Sequence, residues 1–203
     1  MRTVRPLTAL AAAAVLLLGG CERGAVGNEP SWFRASLAGD VQDSFEGTGD
    51  FAPLRDELGT PRYFRLFSES TNPNRRDAIW IRWPSGRYPA PGRYALVPHD
   101  MQYGSRSGVS AIYGRGSGDN VTQVARNETY IVQDGFVEIT RADRDVYEGT
   151  VEFTALQVYS SEGLTVHRND SRITPDPTAP RIHVTGSFHA TFFDESAQVG
   201  IPN

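Results

Sequence analysis

From Trp32 onward, apolar and polar residues alternate with a period of two, as they do in strands that bury one face. The alternation is clearest in two late segments, residues 146–158 and 181–193. In the first of these, Tyr147 and Phe153 fall on an apolar face, and most residues of the other face are polar. A strand with one apolar face needs a second sheet to cover that face. The pattern therefore predicts a layered β domain.

Runs of β-branched and aromatic residues bounded by Gly, Pro, Asn or Asp predict about ten strands. These runs cover residues 32–38, 44–51, 63–67, 78–83, 92–97, 109–113, 129–133, 136–140, 146–158 and 181–193. At most one short helix is predicted, over residues 51–58, with Pro53 in its first turn and Gly59 after its end. The predicted fold class is all-β: an antiparallel β-sandwich or an open barrel.

Local turn chemistry predicts how these strands connect. Asp134-Gly135 separates two alternating runs and favours a two-residue hairpin, because a type I′ turn needs positive φ at both central positions. Residues 84–91 contain three Pro and one Gly and are predicted to form a turn region. Polar segments at residues 101–108, 114–128 and 160–180 are predicted to be long loops, where binding sites of β proteins usually lie.

The start of the chain has the features of an export signal. Arg2 and Arg5 supply positive charge, residues 7–18 are almost wholly apolar, and Gly19 and Gly20 are small enough for a peptidase site. The apolar run is shorter than the roughly 18 to 20 residues that span a bilayer. We therefore expect residues 1–20 to be removed.

Leu18-Gly19-Gly20-Cys21 resembles the bacterial lipobox, which implies that Cys21 becomes a lipidated N-terminus. The cysteine thiol is the side chain best suited to attack a lipid donor. An ordinary secretory signal with an incidental Cys is the alternative. Residues 21–30 are then a flexible tether and residues 31–203 a single β domain. In Gram-negative relatives, a residue other than Asp after the cysteine, here Glu22, implies sorting to the outer membrane.

Composition narrows the functional classes. The 203 residues carry 20 basic side chains, all Arg, and 24 acidic ones, a net charge of −4. Without the signal and its two Arg, 183 residues remain with 18 basic and 24 acidic side chains, a net charge of −6. This balance argues against nucleic acid as a partner. A single Cys excludes internal disulfides, and the absence of Lys excludes Schiff-base catalysis.

Four short motifs in the later part of the chain support a family resemblance. They are Pro91-Gly-Arg-Tyr94, Gly135-Phe-Val-Glu-Ile-Thr140, Glu148-Gly-Thr-Val-Glu-Phe-Thr-Ala155 and Val184-Thr-Gly-Ser-Phe188. In this order they resemble a group of uncharacterised small all-β lipoproteins of bacterial envelopes, although Val151 stands where that pattern has Phe. The resemblance implies a β domain in the cell envelope. It carries over no catalytic residue, because these motifs consist mostly of turn and core residues.

No catalytic motif, metal site or cofactor site is predicted. His183 and His189 are expected to face solvent on one strand, about 20 Å apart, which is too far for one metal ion. Glu148 and Glu152 would lie about 13 Å apart on one strand, beyond the roughly 5 to 9.5 Å of a glycosidase pair. The best binding feature is a set of aromatic and Arg side chains around the Pro-rich turn. They are Trp83, Arg82, Arg87, Tyr88, Arg93 and Tyr94.

Core packing with solvent-exposed Arg is the alternative explanation for that aromatic and Arg set.

Taken together, the export signal, the Cys21 motif and the strand pattern predict a lipid-anchored envelope protein with a non-enzymatic binding or structural β domain. Its expected partners are the membrane, through lipid on Cys21, and an envelope protein or glycan. A barrel carrying an apolar small molecule and a hydrolase with a site built from loops are the two alternatives.

Overall fold

The computed structural model describes residues 30–55, 61–72, 75–98, 108–116, 128–160, 163–164, 166–169 and 172–193. These residues form twelve strands and no helix. The strands are β1 (Trp32–Gly39), β2 (Asp43–Arg55), β3 (Pro61–Ser70), β4 (Arg76–Trp83), β5 (Gly92–Ala95), β6 (Ser110–Gly116), β7 (Glu128–Ala142), β8 (Val146–Ser160), β9 (Gly163–Leu164), β10 (Val166–Asn169), β11 (Arg172–Pro175) and β12 (Arg181–Phe192).

Eight strands close into a barrel in the order β1-β2-β3-β4-β6-β7-β8-β12. Closure comes from the pairing of β7 with β8, and neighbouring strands around the barrel are antiparallel. Where β1 begins, β12 also reaches β2 in a short parallel contact between Phe192 and Phe51. Strand β5 adds to the edge of β7, while β10 and β11 form a separate hairpin. The all-β antiparallel class is confirmed, but the barrel is closed rather than open or a sandwich.

Two local predictions are wrong. Residues 129–133 and 136–140 belong to one strand, β7, in which Asp134-Gly135 follows a bulge at Gln133 and pairs with β8 rather than forming a hairpin turn. Gly135 has a φ of +135°, and β8 runs beside both halves of β7. The bulge bends β7 so that its first half pairs with β6 and its second half with β5. A bulge and a hairpin turn both call for Gly with positive φ, so the dipeptide does not distinguish them.

The predicted helix over residues 51–58 is also absent from its described part, since residues 51–55 continue β2. Phe51 pairs with Leu66 and Pro53 with Phe64 of β3. An eight-residue helix is marginal by itself, and the sheet pairing and burial of Phe51 outweigh it. The segment 160–180, predicted to be a loop, contains β9, β10 and β11.

Two glycines allow neighbouring strands of the barrel to approach each other closely. A Cβ on Gly47 of β2 would lie 1.8 Å from the carbonyl oxygen of Glu69 on β3. A Cβ on Gly149 of β8 would lie 1.9 Å from the carbonyl oxygen of Glu138 on β7. Both glycines occur in a Glu-Gly-Thr sequence, within Phe45-Glu-Gly-Thr-Gly-Asp-Phe51 and Tyr147-Glu-Gly-Thr-Val-Glu-Phe153. In both segments the glycine is where the neighbouring strand comes closest.

Large side chains fill the inside of the barrel. Alternate residues of each wall strand point inward, and in β8 Tyr147, Val151 and Phe153 are buried while Glu152 is exposed. The inward residues form one continuous core. The largest fully buried ones are Tyr113, Tyr130, Tyr147, Phe33, Phe51, Phe64, Phe153, Phe188, Leu66, Ile79, Ile81 and Ile131. The barrel is therefore a packed core, with its two ends closed by different chemistry.

Candidate functional site

We call one end of the barrel the aromatic end: Phe51, Phe64, Trp83, Tyr88, Tyr94, Tyr147 and Phe192. Phe51 lies at its centre. Its ring is 4.6 Å from Tyr147, 5.8 Å from Phe64 and 5.7 Å from Phe192, measured between ring centroids. Edge-to-face and tilted rings at these separations attract one another beyond their burial. This end is thus a rigid aromatic layer.

The Pro-rich turn, residues 84–91, covers the aromatic layer. The hydroxyl of Tyr147 donates a 2.9 Å hydrogen bond to the carbonyl oxygen of Pro89. The hydroxyl of Tyr94 donates a 2.7 Å hydrogen bond to the carbonyl oxygen of Ala90. Because Pro fixes φ and these bonds fix the carbonyl groups, the turn presents Tyr88 in one defined position.

Tyr88 is half exposed, with 50% of its surface accessible, although its ring packs edge-on to Phe51 and Phe64 at 6.4 and 5.7 Å. About half of the Tyr88 surface is therefore accessible to a partner. Exposed aromatic side chains on a rigid support lose little conformational entropy on binding, and aromatic residues are favoured at binding surfaces. Tyr88 is the strongest contact residue at this end.

The structure separates the other predicted binding residues into two groups. Trp83 is 4% exposed and packs against Phe64, and Tyr94 is half-buried against Trp83. Arg87 and Arg93 are exposed, and Arg82 is half-buried. Trp83 and Tyr94 therefore support the layer, while Tyr88, Arg87 and Arg93 form its outer surface.

Two further features of the aromatic end concern Arg93 and Trp83. The guanidinium carbon of Arg93 lies 3.5 Å from the ring centroid of Phe136, a cation–π contact that orients the Arg. The indole Nε1 of Trp83 is buried and has no hydrogen-bond partner in the structure. An unpaired buried N–H is costly.

The opposite end, which we call the ionic end, is closed by a network of Asp43, Arg75, Asp77, Tyr113 and Arg115. Asp77 is fully buried on β4. Its Oδ1 accepts hydrogen bonds from the Tyr113 hydroxyl at 2.5 Å and from Nε of Arg115 at 3.0 Å. Its Oδ2 accepts a 2.8 Å hydrogen bond from Nε of Arg75. Every carboxylate oxygen of this buried Asp is satisfied.

Asp43 completes the ionic end from β2. It accepts hydrogen bonds from Arg75 and from Arg115, the latter at 2.8 Å. Burial disfavours its charge, but the Ser44 backbone N–H and the two Arg outweigh this and lower the pKa of Asp43. Sequence reasoning missed this network, because its three segments, at Asp43, at residues 75–77 and at residues 113–115, are 32 to 72 residues apart along the chain. Their inward positions in the period-two pattern were the one available signal.

A second polar cluster, formed by His189, Glu148 and Arg141, lies on the outer wall. His189, on β12, is 3% exposed rather than solvent-facing, because the Trp32 ring stacks against it at 6.3 Å. Its Nδ1 lies 3.1 Å from Oε1 of Glu148, which also accepts a 2.9 Å hydrogen bond from Arg141. His183 on the same strand has a half-exposed side chain. The prediction that both histidines face solvent is therefore wrong for His189.

Among the residues that the structure describes, no three His, Cys, Asp or Glu side chains converge to hold a metal ion. Nor does this part of the chain contain a helix long and apolar enough to cross a bilayer. Two shallow depressions on the outer wall are open to solvent, one across β1, β2 and β12 and one beside Arg181. Cys21 and the predicted signal lie outside the described residues.

Comparison with protein-family models, with curated proteins and with solved structures found no match. The site is therefore interpreted from its own geometry.

Proposed function

We propose that the chain is a lipid-anchored protein of the bacterial envelope, more specifically of the outer membrane, with a non-enzymatic β-barrel that serves as a binding or structural module. The proposed anchor is lipid on Cys21, followed by the tether at residues 22–30. The proposed contact surface is the aromatic end. One observation carries this choice: Tyr88 is half exposed on a turn that hydrogen bonds hold in place.

The packed interior favours a role on the outer surface over the carriage of an apolar molecule. Aromatic and branched aliphatic side chains occupy the inward positions of the described wall strands. Barrels that hold a ligand keep part of the interior free for it. Envelope proteins, glycans and the lipid surface are all chemically suited to an aromatic and Arg surface, and nucleic acid is disfavoured by the net charge.

Labelling with radioactive palmitate tests the anchor. The wild-type chain should incorporate label and fractionate with membranes, whereas Cys21→Ser should do neither. Equal labelling of the two proteins would contradict the proposal, as would unlabelled wild-type protein in the soluble fraction.

Site-specific photo-cross-linking in intact cells tests the contact surface. A photoreactive phenylalanine replaces Tyr88 in one protein and Gln42, an exposed residue near the ionic end, in the other. Adducts at position 88 with none at position 42 would support the proposed surface. Equal adducts at both positions would contradict it.

A further inference from the structure

In the part of the chain that the structure describes, exposed aromatic side chains lie at or near one end of the barrel. Among the described residues, the large hydrophobic side chains that remain exposed are Trp32 at 38%, Tyr88 at 50% and Phe192 at 41%. Tyr88 and Phe192 pack on the same ring, that of Phe51. Trp32 pairs with His189, three residues before Phe192, which is about 10 Å along the strand. Trp32 therefore lies on the outer wall beside this end, about 10 Å from the level of Phe192, while Tyr88 and Phe192 lie on the end itself.

The chain enters the barrel at this same end. Pro30 is the first described residue, and β1 starts at Trp32 beside the end of β12. Ten residues, 22–31, separate Cys21 from the start of β1. Fully extended they span about 35 Å, and as a flexible coil about 17 Å. The ionic end lies a further length of β1 away, roughly 26 Å for eight residues. Because the coil length is shorter than the barrel, an anchor on Cys21 favours orientations with the aromatic end towards the bilayer.

Charge at this end suits a phosphate-rich surface. Arg87, Arg93 and Arg144 are exposed there, and Arg141 is paired with Asp143. Exposed acids lie beside them as well: Asp145, Asp143, which is paired with Arg141, and Glu138, which is opposite Arg93. Arg can bind lipid phosphates bidentately, and Trp and Tyr favour the membrane–water interface, where the ring is buried and the polar atom stays wet.

We propose that the aromatic end docks on the lipid bilayer that carries the anchor, with Trp32, Tyr88 and Phe192 in the headgroup region and the ionic end facing away. This inference rests on the proposed lipid anchor and names the occupant of the proposed contact surface. The contacts of the aromatic side chains and those of the Arg side chains with the bilayer are each weak. Because the anchor makes docking intramolecular, modest interfacial affinity is enough to hold one orientation.

Nitroxide labels on the lipidated full-length protein test the orientation. In that protein lipid consumes the thiol of Cys21, the single native Cys, so an introduced cysteine is the one free thiol. Tyr88→Cys reports on the aromatic end, and Gln42→Cys, at an exposed position between β1 and β2, is the matched control. Both proteins are reconstituted in vesicles of neutral and anionic phospholipid, and their collision rates with oxygen and with a water-soluble nickel chelate are measured.

The proposal expects the label at position 88 to be shielded from the nickel chelate and accessible to oxygen, with the label at position 42 fully aqueous. A triple substitution of Trp32, Tyr88 and Phe192 by Ser, labelled at exposed Thr48→Cys, should retain its lipid but release the domain, so that its rotational mobility rises. Equal nickel accessibility at positions 88 and 42 in protein of verified lipid mass overturns the docking proposal alone.

Two other outcomes are distinct. Protein that lacks lipid on Cys21 and stays soluble overturns the anchor, and the docking proposal fails with it. Shielding of position 88 in native envelopes but not in protein-free vesicles overturns bilayer docking and identifies a protein or glycan as the occupant instead.

Discussion

The hydroxyl of Tyr113 donates a 2.5 Å hydrogen bond to Oδ1 of Asp77, and neither side chain is accessible to solvent. Arg75 and Arg115 supply the charge that Asp77 needs in this position. Burying one carboxylate is costly unless the geometry satisfies it fully, and here three donors from two parts of the chain do so. The barrel is therefore closed at this end by ionic contacts and at the other by rings.

Removal of the buried charge should cost much more than removal of an exposed one. Asp77→Asn removes the buried carboxylate that Arg75 and Arg115 share and leaves both of them to Asp43, so we expect a loss of about 3 to 5 kcal/mol in the free energy of unfolding. The matched control is Asp143→Asn, whose pair with Arg141 is about half exposed and should contribute at most about 1 kcal/mol. Urea unfolding followed by circular dichroism measures both. Equal losses would show that the ionic end does not act as a stabilising unit.

The ionic end should also set the acid limit of stability. The folded-state pKa of Asp43 is lowered below its ordinary value of 3.8. The stabilisation is therefore complete above pH 3.8 and is lost as the pH falls through the folded-state pKa. Asp43→Asn should accordingly destabilise the protein at pH 6 and make little difference at the lowest pH at which it stays folded. A difference independent of pH would contradict the assignment.

The alkaline limit should depend on buried phenols. Burial raises the pKa of Tyr147 to about 12, and burial together with Glu128 raises the pKa of Tyr130 to about 12. Both values lie above the roughly 10 of an unfolded Tyr, so their stabilisation is present below pH 10 and is lost between pH 10 and 12. Absorbance at 295 nm should show delayed phenolate formation, and Tyr147→Phe should reduce the delayed part.

Period-two alternation made the strand pattern predictable, and the inward residues of β8 and β12 are as expected. Barrel closure was not predictable, because it depends on which strands meet across β7 and β8, and alternation is the same in a sandwich and a barrel. The Asp134-Gly135 dipeptide led to a wrong hairpin prediction, because a Gly with positive φ occurs beside bulges as well as in hairpin turns.

The candidate site was predictable in part. The aromatic and Arg residues around the Pro-rich turn were visible because they are close in sequence. Their division into buried supports and exposed contacts was not visible, since Trp83 and Tyr88 differ in burial and not in chemistry. Phe51, Tyr147 and Phe192 reach the same end from distant strands, and the network around Asp77 is assembled in the same way.

A matched pair of glycines on β2 tests whether close strand approach determines the barrel shape. A Cβ on Gly47 would overlap the Glu69 carbonyl oxygen at 1.8 Å, whereas the nearest atoms to a Cβ on Gly49 are 3.5 Å away. Gly47→Ala should force β2 and β3 apart and cost about 1 to 3 kcal/mol or more. Gly49→Ala fits without displacement and should be neutral or stabilise by up to about 1 kcal/mol, because Ala loses less backbone entropy on folding. Thermal unfolding of both variants measures the difference, and equal destabilisation would contradict the assignment of a specific close approach to Gly47.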